Sequence, residues 1–314
     1  MNPAASQRVT LSPSTLNHVR RLELRVRKHV EALAPGAYRS AFKGRGIEFS
    51  DLREYTPGDD VRSIDWNVTA RAQTPFVKLF IEERELTVTL AVDVSASTLF
   101  GSTIRTKAAA ITELAAAIAT ISHDANDRTG LVLFADHVVK SIASGKGRAH
   151  YMQILHELVH APQLNTPTDV RALAQQLGRT HRKRSLMFII SDFLVPENTE
   201  HRQLTQALGP LARKHELVAI RITDPAESSL PKMGLLQLVD PETGQRTLID
   251  SSNKRVREAF RTRSTQRARK IERAIMQAGA NYASISTDDN LGLQLANLLH
   301  RIQANAPLSA GAAQ

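Results

Sequence analysis

The sequence contains no cysteine. Disulfides and thiolate-bound metal centres are therefore excluded, and a reducing compartment is favoured. Aromatic side chains make up only 4% of the chain, with a single tryptophan. A stacking platform for single-stranded nucleic acid thus has little to be built from. No apolar run approaches the roughly 18 residues that span a bilayer. Met1 to Arg8 holds no apolar stretch that would act as a secretory signal. The cytoplasm is the expected location. The patterns G-x-x-x-x-G-K-[ST], G-x-G-x-x-G and G-x-S-x-G are all missing. Nucleotide hydrolysis, dinucleotide binding and the usual serine-hydrolase layout have no support in the sequence.

What is present is an ordinary globular composition, with 42% hydrophobic and 23% charged residues in a chain of 314. That length holds one large α/β domain plus an appended segment. The net charge is +10, and much of it lies on two predicted helices. One carries Arg20, Arg21, Arg25, Arg27 and Lys28. The other carries Lys254, Arg255, Arg257, Arg261, Arg263, Arg267, Arg269, Lys270 and Arg273. A charge run on a helix is ordinarily its solvated face. With no aromatics interleaved, attraction to an acidic protein partner is the more useful reading, and nucleic-acid binding the alternative.

The first helix opens at Ser12-Pro13, where a capping serine precedes proline at the first helical position. Its apolar stripe is Leu16, Val19, Leu22, Val26, Val30 and Leu33, and Pro35-Gly36 ends it. An irregular stretch from Phe42 to Ala72 and an extended run from Phe76 to Glu85 complete an N-terminal segment, residues 1–85, expected to pack on the main domain. From Leu86 strands and helices alternate. The apolar strand 86–92 stops at Asp93, and the apolar strand 185–191 stops at Asp192. Between them come a helix over 104–122, strands over 129–135 and 138–142, and helices over 148–160 and 169–182. After them come helix 201–214, strand 216–223, helix 255–278, strand 282–286 and helix 290–302. Two alternating strands within 234–250 read as a β-hairpin insertion. The expectation is an α/β, doubly wound and mostly parallel sheet over 86–305, with residues 306–314 a frayed tail.

In a doubly wound sheet of order 3-2-1-4-5-6, the strands ending at Asp93 and Asp192 are neighbours at the switch point, where such sheets bind ligands. Ser95 and Ser97 follow Asp93 at period two, so an extended chain would aim all three side chains at one point. Thr168 opens a helix 75 residues after Asp93, and Asp192 follows it 99 residues after Asp93. Two carboxylates and three hydroxyls are hard oxygen ligands, suited to magnesium, manganese or calcium, with magnesium expected. Neutral hydroxyls leave the ion with unspent positive charge, so an acidic side chain from a protein partner would complete the site.

Asp93-Val94-Ser95-Ala96-Ser97 with Thr168 and Asp192 resembles the metal-ion-dependent adhesion site of von Willebrand factor type A domains. Lys43 to Phe49, Leu52 to Trp66 and Ala70-Arg71 resemble the bacterial family called domain of unknown function fifty-eight, with the Tyr55 to Trp66 block the most specific part. The resemblance covers roughly residues 15 to 300. It implies a von Willebrand factor type A-like fold and a non-enzymatic partner of MoxR-type AAA+ ATPases, acting in the assembly or activation of other proteins. Trp66 itself reads as a packing anchor.

One competing motif stands out. His156-Glu157-Leu158-Val159-His160 matches H-E-x-x-H, the helix motif of zinc peptidases. Pro162 follows almost at once and no third ligand is marked. An ordinary core-facing helix with stripe Tyr151, Leu155 and Leu158 explains the segment as well.

Overall fold

The computed structural model describes residues 13–31, 38, 41–42, 52–56, 64, 66–72, 74–78, 85–194, 201–239 and 245–305. The predicted cap at Ser12, the Lys43 to Phe49 stretch, most of the Pro57 to Asp65 stretch, the hairpin turn Pro241 to Gly244 and the tail 306–314 lie outside the described residues.

Six strands form the central sheet: β3 (Thr87–Asp93), β4 (Arg128–Phe134), β5 (Val138–Gly145), β6 (Leu186–Ser191), β7 (Glu216–Thr223) and β10 (Asn281–Ser286). Their spatial order is β10-β7-β6-β3-β4-β5, and all pairs are parallel except β4 with β5. Counted from β3, that is the 3-2-1-4-5-6 order expected, with the switch point between β3 and β4 on one side and β6 on the other. The antiparallel edge strand follows from the tight Asp136-His137 connection, which is too short for a parallel crossover. Two small antiparallel pairs lie outside the sheet. β1 (Leu52–Glu54) pairs with β2 (Phe76–Lys78), and β8 (Leu235–Val239) with β9 (Arg246–Asp250) as the predicted hairpin.

Helices cover both faces. On one lie α1 (Pro13–Glu31), α3 (Lys107–Asp124), α4 (Arg148–Val159) and α8 (Leu291–Asn305); on the other lie α5 (Val170–Thr180), α6 (His201–Lys214) and α7 (Lys254–Gln277). A further short helix, α2 (Trp66–Ala72), precedes β2. The strands alternate accordingly: Val88, Leu90 and Val92 face the first layer, while Ala91 faces the second together with Val132, Met187 and Ile189. Ala110, Ala115, Ala116, Ala117 and Ala119 give α3 a small-residue surface, which lets it lie close on the middle of the sheet.

Val19, Leu22 and Val26 of α1 are buried in the same cluster as α3 and α4. Arg148 adds a two-pronged ion pair to Glu23, at 2.6 and 3.1 Å, and Arg25 pairs with Glu113. Part of the basic charge of α1 is thus spent on holding it in place. Trp66 is exposed, so it does not anchor packing among the described residues, contrary to the sequence reading.

Candidate metal centre

β3 is buried from Val88 to Asp93, which stands at the carboxyl edge of the sheet. The following residues do not continue extended, as the spacing had led us to expect. Ser95 is extended, but Ala96–Leu99 forms a 3-10 turn in which Thr98 Oγ1 donates to the Ser95 carbonyl at 2.7 Å. The turn, not a straight strand, brings Ser95 Oγ and Ser97 Oγ to 3.2 Å.

Thr168 arrives from 75 residues away because its loop is laced to this one. Leu164 N–H donates to the Val94 carbonyl at 3.0 Å, and Ala96 N–H to that of Thr166 at 3.0 Å. Asp169 then caps α5 by accepting from Arg171 and Ala172 N–H. The Thr168 hydroxyl lies 3.0 Å from Asp93 Oδ2 and 2.8 Å from Ser95 Oγ. Ser95 N–H donates to the other Asp93 oxygen at 2.9 Å. Four of the five expected side chains therefore meet at one point, and all are buried.

Asp192 stands at the same edge, at the end of β6, but its oxygens are engaged otherwise. Oδ2 accepts from the Lys107 ammonium at 2.7 Å and Oδ1 from Leu194 N–H at 3.0 Å. The backbone turns sharply there: Phe193 has φ 51°, a left-handed conformation costly for a bulky residue, and its ring is buried in the second layer. Burial, and next the charge of Asp192, push the Asp93 carboxyl up to about 6, against hydrogen bonds from Ser191 and Ser95 that favour its charge. Uncompensated negative charge thus sits beside three hydroxyls. That donor set fits a hard divalent cation: Asp93, Ser95, Ser97 and Thr168 would hold it, and Asp192 contributes charge from the adjoining strand.

Sequence reasoning missed three groups here. Ser191 donates to Asp93 Oδ2 at 2.5 Å. Lys107, the first residue of α3, has no exposed surface and bridges Asp192 to Glu227, which lies 2.5 Å from the ammonium. Burial would lower the Lys107 pKa; the two carboxylates outweigh it and raise it. Glu227 belongs to a one-turn helix, Pro225–Ser228, closed by a capping box with Asp224. That Asp-x-x-Glu start with proline at the first position was readable as a cap, though not as part of a site.

Beside the centre, residues 99–106 form a tightly fastened loop. Ser102 N–H donates to Asp224 at 2.9 Å, Thr103 Oγ1 to Thr287 at 3.1 Å, and Arg105 to Glu113 and to the Asp289 carbonyl. A Cβ on Gly101 would stand 2.6 Å from Thr106 Cα, so the loop closes only around glycine. Despite this anchoring it presents Leu99, Phe100 and Ile104 to solvent, the last 96% exposed.

The H-E-x-x-H helix is differently placed. The His156 and His160 rings stack with centroids 4.4 Å apart, and Glu157 pairs with Lys140 at 2.6 Å. Burial and the neighbouring His160 lower the His156 pKa. Among the described residues no group of three His, Asp or Glu is arranged to hold a metal, so these histidines gain no third such ligand.

Residues 51–270 match the family described as "Protein of unknown function DUF58". The chain is 32% identical over 279 residues to the uncharacterized proteins Rv1480 of Mycobacterium tuberculosis and Mb1516 of Mycobacterium bovis, covering 88% of this chain and 86% of each relative. Similar solved structures include an aerotolerance-related membrane protein from Bacteroides fragilis, at 14% identity and TM-score 0.48, over 70% of this chain and 98% of that one. A von Willebrand factor type A protein from Catenulispora acidiphila matches at 10% identity and TM-score 0.41, over 73% of this chain and 43% of that one.

Proposed function

The chain belongs to the family of proteins of unknown function DUF58, and from that premise we propose that it is a metal-dependent protein-binding module. It works without catalysis of its own, in the cytoplasm, together with a MoxR-type AAA+ ATPase that assembles or activates other proteins. The observation that carries this reading is the meeting of Asp93, Ser95, Ser97 and Thr168 at the carboxyl edge, with Asp93 left short of positive charge. Magnesium at this point would supply an electrophilic centre for a partner's carboxylate. The protein's own hydroxyls orient the ion without neutralising it. The fastened loop with Leu99, Phe100 and Ile104 supports a docking role, because rigid exposed apolar groups beside a charged centre serve contact better than stability.

Metal and partner are then linked: each raises the affinity for the other by the same factor, typically 5- to 150-fold. The test titrates the protein with a MoxR-type ATPase from the same genome, in magnesium and in chelator. Wild type should bind more tightly in magnesium, and Asp93→Ala and Ser95→Ala should bind in both buffers as wild type does in chelator. Equal binding by all three proteins in both buffers would refute the metal bridge.

A further inference from the structure

Lys107 is the feature of the site that the donor set alone does not call for. A lysine at the first position of a helix faces the positive end of the helix dipole. Burying its ammonium completely adds a desolvation cost that only close carboxylates offset. Both conditions hold here: the side chain has no exposed surface, Asp192 lies 2.7 Å and Glu227 2.5 Å away, and the Phe100 ring covers the ammonium at 5.9 Å. The residues that follow it, Ala108 to Ile111, are alanine and aliphatic, so the packing of this turn of α3 does not itself call for a cation.

The consequence falls on Asp192. With Oδ2 on Lys107 and Oδ1 on Leu194 N–H, both of its oxygens already have donors. Among the described residues Asp93 has no cation of this kind; its partners there are the hydroxyls of Thr168 and Ser191 and the Ser95 N–H. The two strand-end carboxylates, alike in sequence, are unlike in the fold: one is compensated by a charge built into the chain, the other is not.

We propose that Lys107 is a tethered cation that competes with a divalent metal for Asp192 and holds down the metal affinity of the free protein. Among these four groups, Asp93, Asp192 and Glu227 against Lys107 leave a net charge of −2 when all are ionised; the buried Arg221, which donates to the Asp192 carbonyl at 3.2 Å, adds the same +1 to every variant compared. Removing the ammonium makes the charge of the four −3 and frees an Asp192 oxygen for the ion, whereas neutralising Glu227 makes it −1 and leaves Lys107 with Asp192 alone. The two substitutions therefore shift metal affinity in opposite directions. A lysine that served only as a strut between strand end and helical turn would give the same direction for both, since either change loosens the strut.

This inference rests on the metal reading above, and the experiment separates the two. Free Mn2+ is followed by its paramagnetic resonance signal as purified full-length protein is added, with folding checked by circular dichroism. Lys107→Met should bind Mn2+ about tenfold more tightly than wild type or better, and Glu227→Gln several-fold more weakly. Should Lys107→Met not fold alone, the double variant Lys107→Met/Glu227→Gln removes the ion pair as a unit and should bind about tenfold more tightly than Glu227→Gln. Wild type binding Mn2+ while Lys107→Met binds it equally or more weakly would overturn the role of Lys107 and leave the metal site standing. Mn2+ retained by neither protein would overturn both.

Discussion

His215 is buried between α6 and β7, with Nδ1 3.0 Å from Ser185 Oγ and Nε2 without a hydrogen-bond partner among the described residues. Burial, and then the charge of Lys214, depress it from 6.5 to about 4. Below about pH 6.5 the unfolded chain takes up a proton that the folded chain refuses, so stability falls with pH until about pH 4, where both states are protonated. The loss over that window should be on the order of 2–3 kcal/mol. Urea denaturation at about pH 7.5 and pH 4.5 should show it in wild type, with a correspondingly shallower fall in His215→Leu; equal falls would disprove the assignment. At the same scale, the cluster of Asp93, Ser95, Ser97 and Thr168 proposed to hold the cation was legible because strand-end aspartates and a hydroxyl triplet are a pattern in the letters. Lys107 was not. A lysine before an alanine-rich run reads as solvated, and its burial is decided by the 99–106 loop and by Glu227, 120 residues downstream.

Elements were read from period and punctuation, and the order of strands and helices in the main domain followed. The departures have physical causes. The helix expected from Ile104 begins at Lys107 because Ser102, Thr103 and Arg105 are tied to other strand ends and Thr106 supplies the cap. The one-turn helix at Pro225–Ser228 is too short to leave an apolar period, though its capping box was present in the letters. Two consequences can be measured on elements. Asp169→Ala removes the α5 cap and should cost about 1 kcal/mol in denaturation; because the cap sets the entry of Thr168, it should also weaken Mn2+ binding. Unchanged metal affinity would separate helix and site. Leu22 of α1 is buried against the main domain, so Leu22→Ala should cost about 2–5 kcal/mol of the same unfolding transition. A free N-terminal tail would show no such loss.

Over the whole molecule, the sheet order puts Asp93, Thr168 and Asp192 at one edge, and the fastened loop sets Leu99, Phe100 and Ile104 beside them. The net charge of +10 favours approach of an acidic partner over any distance the salt allows. Ile104→Ser, at a residue 96% exposed, should leave stability within about 0.5 kcal/mol of wild type while weakening the proposed complex with a MoxR-type ATPase in magnesium. An unchanged complex would remove the loop from the docking face. All of this depends on the cation binding where the hydroxyls meet. Crystals of the full chain soaked in Mn2+ and measured for anomalous scattering test that most directly. A peak is expected among Asp93, Ser95, Ser97 and Thr168, and Ser95→Ala should abolish it; a peak only at His156 and His160, or none at the carboxyl edge, would contradict the metal site.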